Sequence, residues 1–467
     1  MPPYSSTPES IKNRKQQEKL LRPRMIKGRQ SFIKFLPQDD LSGFHPVYLK
    51  HPDEFVPRRH RRGDMLEWGI VELDLSAKMS LLETIELRRK QDTWQAKCMY
   101  HGSLLPQVQF VNGLMERKKA KLAASRDPQR ELCDYVLTIR LRDTETASCN
   151  SAIMWRRIKV SGATKINVFQ DKILAPALGW TRNYHGYLFV DDSDGAQYGP
   201  NGGSYIDFLH FLKDCGHSYI DDHEYTIADI LPLPNPKEPV FHYIYDLGDH
   251  WLHDIYVDAI LPASESDGKV ALLAGGGACP REDGQGFRNW NKFIKSLDAA
   301  KHAEIAGSMN YHDDPAVRRL GARWRFDPLA FDLAAARTRI TDALASPASV
   351  PSGPKKSVMG GDPLRDGGPP GDSTPKGTHR TVIPNGAGFN PFGQYNNLKG
   401  SFRTEVVRDR RDKRASALCG CCGKPITKPK MCSACKIVYY CDQACQTAHW
   451  KEHKRKCGGR TASSARA

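Results

Sequence analysis

The C-terminal stretch "CGCCGKPITKPKMCSACKIVYYCDQACQTAHWKEHKRKC" constrains this chain more than any other part of it. Cys419 and Cys422 form a C-x-x-C pair followed by Gly423. At that spacing a tight turn aims two thiolates at one ion, and the glycine permits the turn. Cys432 and Cys435 repeat the pair. Cys441 and Cys445 stand at i, i+4, as do His453 and Cys457, so on a helix each pair shares a face. Two knuckles and two helical pairs give eight donors, enough for two tetrahedral ions. Zinc is the natural ion for thiolate and imidazole. Four donors per ion leave no position for substrate, so both ions are expected to be structural. A segment of about forty residues cannot sustain an apolar core alone. Structural zinc supplies roughly 10–16 kcal/mol coupled to folding.

The order C-x2-C, C-x2-C, Tyr440-Cys441, Cys445-Gln446, Trp450, His453 to Cys457 resembles the MYND-type zinc finger. The resemblance implies interleaved ligation. Cys419, Cys422, Cys441 and Cys445 would hold one zinc, and Cys432, Cys435, His453 and Cys457 the other. It also implies docking of proline-containing peptides from partner proteins, with Gln446 and Trp450 in the peptide groove. A tryptophan on so small a domain serves equally well as core. Cys421 is an extra thiol, although only Cys419 and Cys422 have the usual spacing. His449 is expected to be a solvated spare.

Thirteen cysteines occur in all, and the five outside the tail (Cys98, Cys133, Cys149, Cys215, Cys279) form no disulfide framework. A reducing, intracellular setting, nucleus or cytoplasm, fits them. "RRHRR" at 58–62 suits a nuclear import signal. No apolar run is long enough to span a bilayer, so no membrane role is expected. The net charge of +16 divides unevenly: about +10 over 1–130, about −5 over 131–401 and about +11 over 402–467. Two basic arms flanking a mildly acidic body suit nucleic acid or acidic proteins.

Composition and periodicity divide the chain into six parts. Residues 1–63 read as a basic arm, interrupted by prolines and expected to lack order. Residues 64–130 read as a helical lead-in. Residues 131–345 form the main body. "YVLTIRL" alternates as a strand and "MWRRIKV" follows as a second. A helix runs through Ile166, Phe169, Ile173 and Ala177 and ends at Gly179. "YHGYLFV" is a strand and "SYIDFLHFLKDCG" a short helix. Residues 241–257 are a hairpin turning at 247–249. Phe287, Trp290, Phe293, Ile294 and Leu297 line one helical stripe. Asp327, followed by Pro328, reads as the N-cap of a last helix. Without regular βαβ alternation the class is α+β. Residues 346–415 form a Gly/Pro/Ser-rich to basic linker, expected to be flexible and to let the finger search for its partner. Residues 416–459 are the finger and 460–467 a tail.

In the body, "YVLTIRL", "MWRRIKV", "ALGW", "YDLGDHWLHDI", "GGGACPREDGQG" and "YHDDP" occur in that order. This resembles the plasmid Orf-three-like family, named after a root-inducing plasmid, which implies no established activity. The stretch "YIYDLGDHWLHDI" at 243–255 raises its own question. Asp246, Asp249 and His253 cluster about a turn, and "CPRED" adds Cys279, Glu282 and Asp283. If the two loops met, His253, Asp249, Glu282 and Cys279 could form a metal site with an open position, and two carboxylates could do acid–base work. Equally, Asp246 and Asp249 beside Gly248 are ordinary turn formers, and His253 suits a hydrogen-bonded core position. No phosphate loop, G-x-S-x-G elbow or methyltransferase Asn-His-Ser motif is found. The reading is therefore a zinc-binding adaptor, more consistent with a non-enzyme. The alternatives are a metal-dependent enzyme at 246–253 and 279–283, and a nucleic-acid binder using its basic arms.

Overall fold

The computed structural model describes residues 22–26, 29–35, 51–56, 106–142, 154–182, 184–200, 219–312, 314–346, 379–382, 403–406 and 417–457. The "RRHRR" run, the lead-in up to residue 105, the helix expected at 204–216, most of the linker and the 460–467 tail lie outside them. The described residues fall into two compact units. The smaller takes those within 1–125, 190–198 and 209–220, the larger those within 126–189, 199–208 and 221–467.

In the smaller unit, β1 (Arg22–Ile26) and β2 (Arg29–Phe35) pair antiparallel. They fall in the basic arm, where no order was expected. Helix α1 (Pro106–Ala124) buries Phe110 and Leu114. Phe55 meets Phe110 edge-on at 5.6 Å. Arg117 Nη1 donates to the carbonyls of Pro52 at 2.6 Å and Phe55 at 2.7 Å. Lys118 is held between Asp191 and Asp194, both at 2.7 Å. Its amine stays above the ordinary lysine range, because the two carboxylates outweigh the opposing cost of burial.

The larger unit is α+β, as expected. Its strands are β3 (Asp134–Leu141), β4 (Trp155–Ser161), β5 (Tyr187–Asp191), β6 (Phe241–Tyr245), β7 (Trp251–Leu261) and β8 (Ala271–Gly276). They lie in the order β8-β4-β3-β7-β6-β5, and the β8–β4, β4–β3, β3–β7 and β7–β6 pairs are antiparallel. Every residue of β3 except Arg140 is buried, and β4 and β7 pair with its two edges at the centre of the sheet. Helix α2 (residues 166–178) carries a π-helical segment at Gln170–Leu174 and ends at Gly179, whose φ of 108° suits glycine. Helices α3 (Gly286–Lys295), α4 (Ala299–Ala306) and α5 (Leu333–Ala345) follow. The N-cap of α5 is Asp332, not Asp327: Asp332 accepts the Ala335 N–H at 2.9 Å, while Asp327 caps a turn at Leu329.

Arg156 explains the "GGG" run. Its guanidinium is buried and donates to the carbonyls of Trp155, Ala177, Leu178, Gly276 and Gly277 at 2.6–3.2 Å. Phe331 lies 3.8 Å over it. A Cβ on Gly275 would stand 2.6 Å from Phe331, and one on Gly276 2.7 Å from Trp155. The glycines therefore serve close packing rather than phosphate binding.

In the finger, β9 (Lys430–Met431) pairs antiparallel with β10 (Tyr439–Tyr440), and α6 (Gln443–Lys456) follows. Asp442 caps α6 by accepting the Cys445 N–H at 2.7 Å. The first knuckle packs on the body. Val270 N–H donates to the Cys422 carbonyl at 3.0 Å, and Ala345, the last residue of α5, packs on the finger core. The linker was expected to leave the finger free to search, so this contact is a departure from the sequence reading. Among the described residues no helix is long and apolar enough to cross a membrane.

Candidate functional site

The finger brings its eight donors together in two sets, Cys419, Cys422, Cys441, Cys445 and Cys432, Cys435, His453, Cys457. Within each set the ligand atoms lie within 4.8 Å of one another. Cys422 and Cys441 sulfurs are 3.9 Å apart, Cys441 and Cys445 3.4 Å, and Cys435 Sγ is 3.4 Å from His453 Nε2. Tetrahedral zinc with bonds of about 2.3 Å would put sulfurs about 3.8 Å apart. The residues therefore fit two zinc ions, with the interleaving that the resemblance implied.

Backbone geometry aims the donors. In the first knuckle the Gly423 N–H donates to the Cys419 carbonyl at 2.8 Å, with Gly423 at φ 73°. In the second, Lys436 takes the equivalent place at φ 54°, and its N–H reaches the Cys432 carbonyl at 2.9 Å. The other four donors lie on or flank α6, one turn apart in each pair. Cys421 belongs to neither set. His449 corrects the expectation of a solvated spare: it is buried, and its Nδ1 lies 3.1 Å from the Tyr440 hydroxyl. Gln446 and Trp450, at i, i+4 on α6, are both half-buried, and the Trp450 ring lies 5.9 Å from that of His453.

The body answers the question of 243–255 differently for each residue. His253 is not a ligand. It is fully buried on β7, its Nδ1 donates to the Tyr243 carbonyl at 3.1 Å, and its Nε2 accepts from Trp180 Nε1 at 3.2 Å. Both ring nitrogens are committed, which leaves no lone pair for a metal. Burial lowers its pKa to about 4. Unfolding returns it to the ordinary value near 6.5. The unfolded chain therefore takes up the proton first, and the stability this residue contributes is lost as pH falls from about 6.5 through 4. The expected result is that wild type loses on the order of 2–3 kcal/mol across that window relative to His253→Gln. Denaturant melts at pH 7 and pH 4.5 check this; parallel pH profiles for the two proteins would contradict it.

Cys279 joins no candidate metal group among the described residues; it is buried, and desolvation pushes its thiol well above the ordinary range. Asp254 points elsewhere, pairing with Arg142 and with His242 at 2.9 Å. Glu282 accepts the Thr181 N–H at 2.7 Å and the Tyr245 hydroxyl at 3.0 Å, and burial pushes its carboxyl up to about 7.

The two loops do meet. Gly286, at φ 73°, passes so close to the Asp249 carbonyl that a Cβ would stand 2.7 Å from it. This brings Asp283 to Asp246, and both approach His185, a residue the sequence reading did not single out. His185, Asp246 and Asp283 offer three ligand atoms within 4.8 Å of one another. The β6–β5 pairing sets this up, since the Asp246 N–H donates to the Gly186 carbonyl at 2.9 Å.

Comparison with known proteins bears on both parts. Residues 134–335 match the family model described as plasmid pRiA4b ORF-3-like protein, and residues 419–457 match the MYND finger. An uncharacterized protein, y4hQ, of Sinorhizobium fredii (strain NBRC 101917 / NGR234) is 29% identical over 186 residues, which are 37% of this chain and 87% of that protein. Ubiquitin carboxyl-terminal hydrolase 19 of Arabidopsis thaliana is 55% identical over 53 residues, 11% of this chain and 8% of that one. The SET domain and MYND-type zinc finger protein 6 of Schizosaccharomyces pombe (strain 972 / ATCC 24843) is 42% identical over 45 residues, 10% of this chain and 9% of that one. This chain thus spans less than a tenth of either of the last two. A solved structure of a protein of unknown function from Methanosarcina mazei Go1 aligns at a TM-score of 0.30 and 21% identity, over 44% of this chain and 96% of that one.

Proposed function

We propose that this protein is a zinc-binding interaction protein that docks a proline-containing peptide of a partner through the finger, with Gln446 and Trp450 lining the groove. The observation that carries the reading is the placement of these two side chains. They share one half-exposed face of α6, beside His453, while the eight donors close both zinc sites. The indole would supply a flat apolar platform for the proline ring, and the Gln446 amide could bond the peptide backbone. Since zinc fixes α6 through Cys445, His453 and Cys457, the face is held ready before the partner arrives.

The test is a proline-containing peptide array probed with the full chain, as wild type, Trp450→Ala and Gln446→Ala. A buried tryptophan anchor contributes about 2 kcal/mol or more. Trp450→Ala should therefore weaken capture by roughly 30-fold while the zinc content stays at two. Equal capture by wild type and Trp450→Ala would refute the assignment.

A further inference from the structure

Three segments far apart in sequence converge on one imidazole. His185 precedes β5, Asp246 follows β6, and Asp283 lies in the loop before α3. His185 Nε2 is 3.3 Å from Asp246 Oδ2 and 3.2 Å from Asp283 Oδ1. The remaining carboxylate oxygens are anchored. Asp246 Oδ1 accepts the N–H groups of Gly248 at 2.9 Å and Asp249 at 3.0 Å. Asp283 Oδ2 accepts the Tyr184 hydroxyl at 2.9 Å. Each carboxylate is thus fixed by one oxygen and presents the other to the same point. Outer bonds of this kind orient metal ligands.

An imidazolium bridging two carboxylates would account for these distances alone. It does not account for the other acids. Glu282 Oε2 lies 3.9 Å from His185 Nε2 as well. Asp249 Oδ2 is shut off from solvent and has no hydrogen-bond partner among the described residues, although the Gly286 and Gln285 N–H groups face the same carboxyl. A buried carboxylate oxygen in that state costs stability unless a positive charge faces it. Arg281, in the same loop, pairs with Glu304 at 2.7 Å and its charge also reaches Asp283. His185, Asp246 and Asp283 offer one imidazole and two carboxylates, a donor set whose negative charge a divalent cation would balance.

We propose that His185, Asp246 and Asp283 form a site for a divalent transition-metal ion, separate from the finger and independent of its peptide-docking role. The His185 and Asp246 side chains are only 2% and 5% exposed, whereas that of Asp283 is 48% exposed. Two ligands thus form the inner wall and the third stands at the mouth. Three protein ligands leave coordination positions on the solvent side, the arrangement of an open rather than a closed site. One nitrogen and two oxygens with no thiolate suit manganese(II), iron(II) or zinc. The thiolate-rich finger sites select zinc, so metal identity can separate the two.

The experiment uses the full chain with two zinc ions bound in the finger. It is titrated with Mn2+ and read by electron paramagnetic resonance, and in parallel with a third equivalent of Zn2+ read by native mass spectrometry. One further ion per chain is expected. Asp283→Asn, at a half-exposed position, should weaken binding of that ion at least tenfold. Tyr184→Phe removes only the outer bond and should weaken it about tenfold. Both variants should keep two finger zinc ions and the wild-type melting temperature. No third ion of either metal, or equal binding by wild type and Asp283→Asn, would overturn the proposal.

Discussion

Cys432→Ser is expected to abolish the finger's fold while leaving the body's unfolding transition in place. Cys432 is a buried donor of the second set, and its backbone closes that knuckle. The two sets are interleaved along the chain. Cys441 and Cys445 of the first lie between Cys435 and His453 of the second. Helix α6 carries or adjoins ligands of both ions, so losing one set frees the helix that positions the other. Zinc contributes roughly 10–16 kcal/mol of apparent folding energy to small domains of this kind. The finger core consists largely of the ligands themselves with Val438 and Tyr440, far too little apolar surface to replace that. Native mass spectrometry should show the zinc content falling below two, and limited proteolysis should open the Lys430 and Lys436 sites. Retention of two zinc ions with a protected finger would show that Cys432 is not a ligand.

The second large effect is expected in the body. Arg156→Met should destabilise it by roughly 3–5 kcal/mol, about 10 °C in melting temperature. Burial lowers the Arg156 pKa to about 9, so the side chain remains charged at neutral pH. It has no carboxylate partner among its hydrogen bonds. Five backbone carbonyls stabilise the charge instead, two of them at the C-terminal end of α2, where the helix dipole favours a cation. Methionine fills much of the volume but donates nothing, and leaves those carbonyls without their donor. Calorimetry checks this; a melting temperature within a degree or two of wild type would mean that water replaces the guanidinium at little cost.

What was legible in the sequence divides along the range of the interactions. Each zinc pair is set by a turn or by one helical repeat, so spacing alone was enough to find all eight donors. The hairpin at 241–257 is likewise local, and β6 and β7 match it. The cluster of His185, Asp246 and Asp283 in the body is not local. Asp246 and Asp283 were singled out as polar residues in turns, but the residue that unites them, His185, lies before a strand that pairs with β6. Only sheet topology makes that connection, and "YHGYLFV" carries no spacing that announces it. His253 is the hydrogen-bonded core histidine that the sequence also allowed; spacing alone could not choose between that and a ligand, because Trp180 and Tyr243, which occupy its nitrogens, reach it from α2's end and from the neighbouring strand. The contact of the first knuckle with Val270 could not be read from composition either, since a linker's length says how far a finger can reach and nothing about where it rests.

The central claim is that zinc sits in a closed, sulfur-dominated finger that presents α6 to a partner. X-ray absorption at the zinc edge of the full chain holding two zinc ions tests it most directly. The account predicts a first shell of seven thiolates and one imidazole shared between the two ions, with zinc–sulfur distances of about 2.3 Å. A shell rich in oxygen or in several nitrogens per ion would contradict it, and would move zinc from the finger to the carboxylates around His185.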